Sequence, residues 1–140
     1  MPECVPDLPH SGPARLIEAV LEHGADSIRC RGRIPLESPF AAAQGGAPAL
    51  LAIELGAQAA ASHEIVGAAG EGRAGVGYVV SARSVELVGE ALPVGEELLV
   101  LARRVGAAPP LRTYAFEVVC GGRTWARGEV GTWFEGAAAR

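Results

Sequence analysis

PALLAIELGAQAAASHEI, Pro48 to Ile65, decides how this chain of 140 residues is read. Its leucines, isoleucines and alanines behind a proline predict a helix that starts near Pro48 and runs to about Val66, proline being a good first-turn residue. At about 100° per residue, Leu51, Glu54, Leu55, Gln58 and Ser62 fall along one stripe. Leu50, Ile53, Ala57 and Ala60 fall on a neighbouring stripe that suits packing on a sheet. Gly56, Ala57, Ala59, Ala60 and Ala61 are small enough to let strands come close. A helix that is apolar nearly all round is a buried helix. The exception is a thin polar line, Glu54–Gln58–Ser62, in which Glu54 and Gln58 stand four apart and can touch. A carboxylate in such a segment is paired, exposed or used. Two readings remain open at this point. The line faces solvent or a satisfied dimer seam, or Glu54 lines a pocket where burial tunes a carboxylic acid for acid–base work.

Outward from the helix, the chain reads as one domain over 1–140. Met1 to Pro9, with three prolines, is an extended arm, and Glu135 to Arg140 a frayed tail. In Ala14–Gly24 the apolar residues Leu16, Ile17, Val20 and Leu21 have helical spacing, with Gly24 as a C-cap. Asp26–Pro35 alternates through Ile28, Cys30 and Ile34 and predicts a strand with one wet face. Leu36–Pro48 and Gly67–Gly75 read as loops. Strand-like runs follow at Val76–Val88 and Glu96–Val105, with a turn at Glu90–Gly95 between them. Leu111–Cys120 and Arg123–Phe134 form a hairpin about Gly121 and Gly122. One long apolar helix with consecutive antiparallel strands is an α+β fold, a sheet wrapped around a helix.

Composition removes several function classes. Hydrophobic residues make up 49%, and the formal net charge is −4. No basic patch interleaved with aromatics exists, which argues against nucleic acid. Cys4, Cys30 and Cys120 are scattered, with no CxxC, so neither a zinc site nor a disulfide framework is suggested. Gly70, Gly72 and Gly75 spell G-x-G-x-x-G, but after a helix and before a strand, the reverse of a dinucleotide fingerprint. His63-Glu64 is not H-E-x-x-H, because position 67 is glycine, and His63 reads as a partly exposed helix residue. The start lacks the basic and apolar regions of a signal peptide, and the central helix is too polar to span a membrane. A cytoplasmic protein with no metal and no cofactor is the expectation. Arg103 with Arg104, and Arg123 with Arg127, offer either a small basic rim or ordinary solvated strand edges.

Three segments in order resemble a known family. LPHSGPARLIEAV (Leu8–Val20) is similar to the N-terminal signature of the β-hydroxyacyl-acyl-carrier-protein dehydratases, in which Leu-Pro-His opens a short first helix. APALLAIELGAQAAA (Ala47–Ala61) resembles their central helix, with a proline ahead of an acidic residue and then x-x-A-Q. SARSVELVGEALPVGEELLV (Ser81–Val100) resembles their strand pair with its proline-glycine turn. The likeness runs from about Leu8 to Phe134 and is nearest to the short dehydratase-like proteins of aryl-polyene-type clusters. It implies the hotdog fold, a homodimer or heterodimer with another hotdog subunit, and an acyl thioester on acyl carrier protein or coenzyme A as substrate.

The resemblance also implies a site. Glu54 would be the helix carboxylic acid that protonates the departing hydroxyl. Gln58 would orient it. Phe40, Gly46, Ala47, Pro48, Ala49, Leu51 and Ser62 would line the acyl site. Backbone N–H groups near Ala47 to Ala49 would polarise the thioester carbonyl. The family's base is a histidine in an H-F-P-G loop ahead of the helix, and its place here falls near Phe40. No histidine lies between Ile34 and Ser62. α-Proton abstraction then needs another base, either His10 or a partner's histidine. The alternatives are a hotdog thioesterase, for which a lone carboxylate suffices, and a non-catalytic partner that completes another subunit's tunnel.

Overall fold

The computed structural model describes residues 4–5, 15–37, 47–70, 74–89 and 91–137. The elements are β1 (Ile17–His23), β2 (Ser27–Gly32), β3 (Ala47–Pro48), α1 (Leu51–Gly70), β4 (Ala74–Leu87), β5 (Ala91–Leu92), β6 (Leu98–Ala108), β7 (Leu111–Cys120) and β8 (Arg123–Ala137). Six strands form one sheet in the order β1-β2-β6-β7-β8-β4, and β3 pairs with β5 in a small second ladder. Every pairing is antiparallel.

Period-two burial builds the sheet's inner face. Leu98, Val100 and Ala102 of β6, Tyr114, Phe116 and Val118 of β7, and Ala126 and Val130 of β8 all turn inward. They meet Ala52, Leu55, Ala59 and Ala60 of α1. The helix touches all six strands of the large sheet. Gly56 permits the closest approach: a Cβ there would lie 2.5 Å from Cγ of Phe116. Gly121 and Gly122 have φ of 60° and 74°, the left-handed pair that a two-residue hairpin turn requires.

The predicted first helix is instead β1. Its burial explains the misleading spacing. Leu16, Ile17, Ala19 and Val20 are all buried. Register shifts between Ile17 and Ala19 and between Val20 and Glu22 break strict alternation, so adjacent residues face the core in turn. A twice-bulged strand thus shows helix-like spacing. The arm pairs with it: Cys4 and Val20 exchange both backbone hydrogen bonds, at 3.1 and 2.6 Å. That covers part of the β1 edge and leaves β4 as the sheet's other edge.

The remaining differences are at boundaries. Pro48 ends β3 and does not start α1, because Ala47 and Pro48 pair with Leu92 and Ala91 inside the expected turn. A turn then leads into α1 through Ala52 N–H to the Ala49 carbonyl. The helix continues through Gly70, past the expected loop start, and β8 runs into the expected tail as far as Ala137. Leu50 is 65% exposed and so does not pack on the sheet, since it lies in the turn before the helix. Among the described residues no helix is long and apolar enough to cross a membrane.

Candidate active site

The polar line on α1 exists and is anchored. Gln58, fully buried, accepts the backbone N–H groups of Leu16 at 2.8 Å and Ile17 at 3.2 Å through Oε1. Those are the N–H groups that enter β1 ahead of its first bulge. The amide's other end donates through Nε2 to Glu54 Oε1 at 3.1 Å. Glu54 is half-buried, in the first turn of the helix. Gln58 thus hydrogen-bonds Glu54 and is itself held by backbone, which fixes its rotamer. Ser62, also expected to meet substrate, is buried and spends its hydroxyl on the Gln58 carbonyl at 2.7 Å. That is a helix back-bond. Ala47 and Ala49 are buried, Pro48 is exposed, and Leu51 is half-buried. The N–H groups proposed near Ala47 to Ala49 belong to the β3 ladder and the following turn, one step ahead of the helix end. His10, Phe40 and Gly46 lie outside the described residues.

A second polar group occupies the carboxyl-terminal half of the same helix. His63 is 3% exposed, which overturns the partly exposed reading. Its Nδ1 lies 2.6 Å from the Tyr114 hydroxyl and its Nε2 3.0 Å from the Gly24 carbonyl. Tyr114 donates to Glu64 Oε1 at 2.5 Å. His23 stacks on His63 with ring centroids 4.8 Å apart, and its Nε2 bonds the His63 carbonyl at 3.1 Å. Arg112 Nε and Arg104 Nη1 stand 3.4 and 3.9 Å from Glu64 Oε1. Burial, the larger cause, and the bond to Glu64 push the Tyr114 hydroxyl above its usual range. Burial lowers the His63 imidazole, against the pull of the Gly24 carbonyl. With both ring nitrogens engaged, His63 is not free to take a proton from a substrate carbon.

The arginines form no common rim. Neighbouring strand residues face opposite sides, so Arg104 turns to Glu64 and to Asp26 at 2.6 Å while Arg103 lines an open groove on the outer face. That groove, about 570 Å³, also holds Glu22, Arg29, Glu117 and Arg127. Its mixed charges lie across the sheet from Glu54. Arg127 pairs with Glu86, and Arg123 stacks on Trp125. Burial pushes the Cys30 thiol up to about 12, which makes it a poor nucleophile. No group of three potential metal ligands occurs among the described residues.

Sequence reasoning missed the second group, although a signal existed. His63 and Glu64 stand in an apolar helix, and the alternation of Leu111–Cys120 turns Arg112 and Tyr114 inward with Phe116 and Val118. Polar residues at core positions of two elements are candidates to meet.

The family model of the ApeP-like dehydratases, described as ApeP dehydratase, matches residues 3–137. The chain belongs to the ApeP-like dehydratase family. Among solved structures it resembles the dehydratase heterocomplex ApeI:P from Xenorhabdus doucetiae, at 23% identity over 90% of this chain and 86% of that one, with a TM-score of 0.81. A hypothetical thioesterase with coenzyme A from Streptococcus pneumoniae matches at 12% identity over 86% and 87% of the two chains, TM-score 0.64. Thioesterase superfamily member 2 from Mus musculus matches at 13% over 82% and 79%, TM-score 0.60. No curated protein matches. These likenesses show the hotdog fold, and family membership makes the chain dehydratase-like.

Proposed function

We propose that this chain is the acid-bearing half of a hotdog dehydratase that acts on 3-hydroxyacyl thioesters in the cytoplasm, carried on acyl carrier protein or coenzyme A. The chain works as a single hotdog domain. The observation that carries the reading is the Glu54 carboxyl, half-buried and held by Gln58, whose own amide is pinned by two backbone N–H groups. Such second-layer support is what a positioned acid requires. A base removes the α-proton, the β carbon–oxygen bond breaks, and the hydroxyl leaves as water with the proton of Glu54. The carbon–carbon double bond forms between them.

The base comes from a second hotdog subunit. His63 and His23 are bound to each other and to backbone within the far cluster, nine residues along the helix, or about 13.5 Å at 1.5 Å per residue. The β4 edge supplies a seam for a second subunit's sheet. The solved heterocomplex of two dehydratase chains supports a paired arrangement.

Mass spectrometry of carrier-bound 3-hydroxyacyl thioesters tests this. Loss of one water is expected only when this chain and a histidine-bearing hotdog subunit are mixed, and not with Glu54→Gln. Dehydration by the pair with Glu54→Gln at an unchanged rate overturns the role of Glu54. Release of free acid makes the chain a thioesterase.

A further inference from the structure

We infer that the contact between His63 and the Gly24 carbonyl is a proton latch. It closes the turn between β1 and β2 onto α1 when the imidazole carries two protons, and opens when it carries one. The contacts run in a line from the Gly24 carbonyl to His63 Nε2, from His63 Nδ1 to the Tyr114 hydroxyl, and from that hydroxyl to Glu64 Oε1. They measure 3.0, 2.6 and 2.5 Å. Each needs one proton between its two heavy atoms. The Gly24 carbonyl has none to give. A neutral imidazole and a phenol hold two between them, one short of three.

The neighbours decide where the shortfall lies. Glu64 is ion-paired with Arg112 of β7 and Arg104 of β6, and a carboxylate only accepts, so Tyr114 spends its proton there. The Tyr114 oxygen then takes Nδ1–H of His63. Only a second ring proton turns the Nε2 approach to the Gly24 carbonyl into a hydrogen bond. A singly protonated ring presents a lone pair to that oxygen instead. His23 of β1 cannot relieve this, because its Nε2 faces the His63 carbonyl and its ring lies stacked on His63. Burial is the chief force against the second proton, with charge on His23 and Arg104 adding to it and Glu64 opposing, so the latch closes below the ordinary 6.5. Asp26, in the turn itself, is taken by Arg104 at 2.6 Å. Arg104 also holds the Ala25 carbonyl, at 3.3 Å, and a guanidinium keeps its charge at any ordinary pH. The turn is therefore gripped by one permanent cation and one that comes and goes, while the His63–Tyr114–Glu64 contacts persist in both states.

The inference does not rest on the proposed dehydration, because its readout needs no substrate. NMR of the purified, isotope-labelled chain would follow both His63 ring nitrogens and the Gly24 carbonyl carbon as pH is lowered from about 8. At the start the ring should carry its proton on Nδ1 alone. As the second proton arrives on Nε2, the Gly24 carbonyl resonance should shift with the same midpoint. Tyr114→Phe removes the acceptor that holds the proton on Nδ1. Its neutral ring should move that proton to Nε2, keep the latch closed and abolish the Gly24 shift. A neutral parent ring protonated on Nε2 overturns the latch, as does a Gly24 carbonyl that ignores the His63 titration. A Gly24 shift that survives unchanged in Tyr114→Phe overturns it too.

Discussion

The two polar groups on α1 are built in opposite ways. The first, Glu54 with Gln58, is local: two residues four apart on one helix, tied to β1 through backbone. The second, His63–Tyr114–Glu64, joins one helix to β7 and to the turn after β1, through side chains 50 and 51 residues apart. The first holds its carboxyl group half-buried, hydrogen-bonded to its helix neighbour. The second closes on itself and leaves no imidazole nitrogen free. One helix thus carries a candidate site at its start and a polar clamp at its end.

The largest expected effect separates the two as catalysis from stability. Glu54→Gln, assayed with a histidine-bearing hotdog subunit, should cut dehydration by about 10²- to 10⁴-fold, the usual contribution of a positioned general acid. Its Tm should stay near that of the parent, because an amide can still accept from Gln58. A large fall in Tm with intact turnover would reverse the comparison and make Glu54 structural.

Gln58 joins the two behaviours and comes next. Gln58→Ala strands the N–H groups of Leu16 and Ile17 in the core and should cost about 2–6 kcal/mol, at 1–3 for each unsatisfied group. It should also lower turnover through Glu54. Gln58→Glu keeps the acceptor for β1 but loses the donor to Glu54. Chemical denaturation and turnover measured on both variants would divide support from positioning. Stability loss without any change in turnover would sink the positioning role.

These contrasts explain what was legible in the sequence. Helix periodicity is local, so the Glu54–Gln58 contact and the buried helix followed from spacing alone. Gly121 and Gly122 marked their hairpin because only a left-handed pair closes it tightly. β1 was misread because two bulges turn Ile17, Ala19 and Val20 inward, and a bulge leaves no mark in composition. The second polar group left only a hint, polar residues at core positions of a helix and a strand, because Tyr114 meets His63 only after the strand register is set.

Tyr114→Phe tests the clamp directly. It removes the hydroxyl between His63 Nδ1 and Glu64 and should cost about 1–3 kcal/mol, with no direct loss of dehydration. A cost below a few tenths would mean the cluster is held by packing alone.

The pH profile of stability is the finest discriminator. The folded imidazole of His63 titrates below its ordinary 6.5, chiefly through burial. The unfolded chain therefore binds a proton first as pH falls, and stability drops from pH 6.5 downward until the folded imidazole is also charged. The Tyr114 hydroxyl is shifted the other way from its ordinary 10.0. The unfolded chain loses that proton first as pH rises, so stability drops again above pH 10. The clamp should thus be strongest between these limits. Urea midpoints across the range, for the parent and for His63→Gln, read each arm separately. The glutamine variant should flatten the acid arm and leave the alkaline arm in place, and Tyr114→Phe should do the reverse. If His63→Gln leaves the acid arm unchanged, the decline belongs to other groups, and the second polar group is no more pH-sensitive than the first.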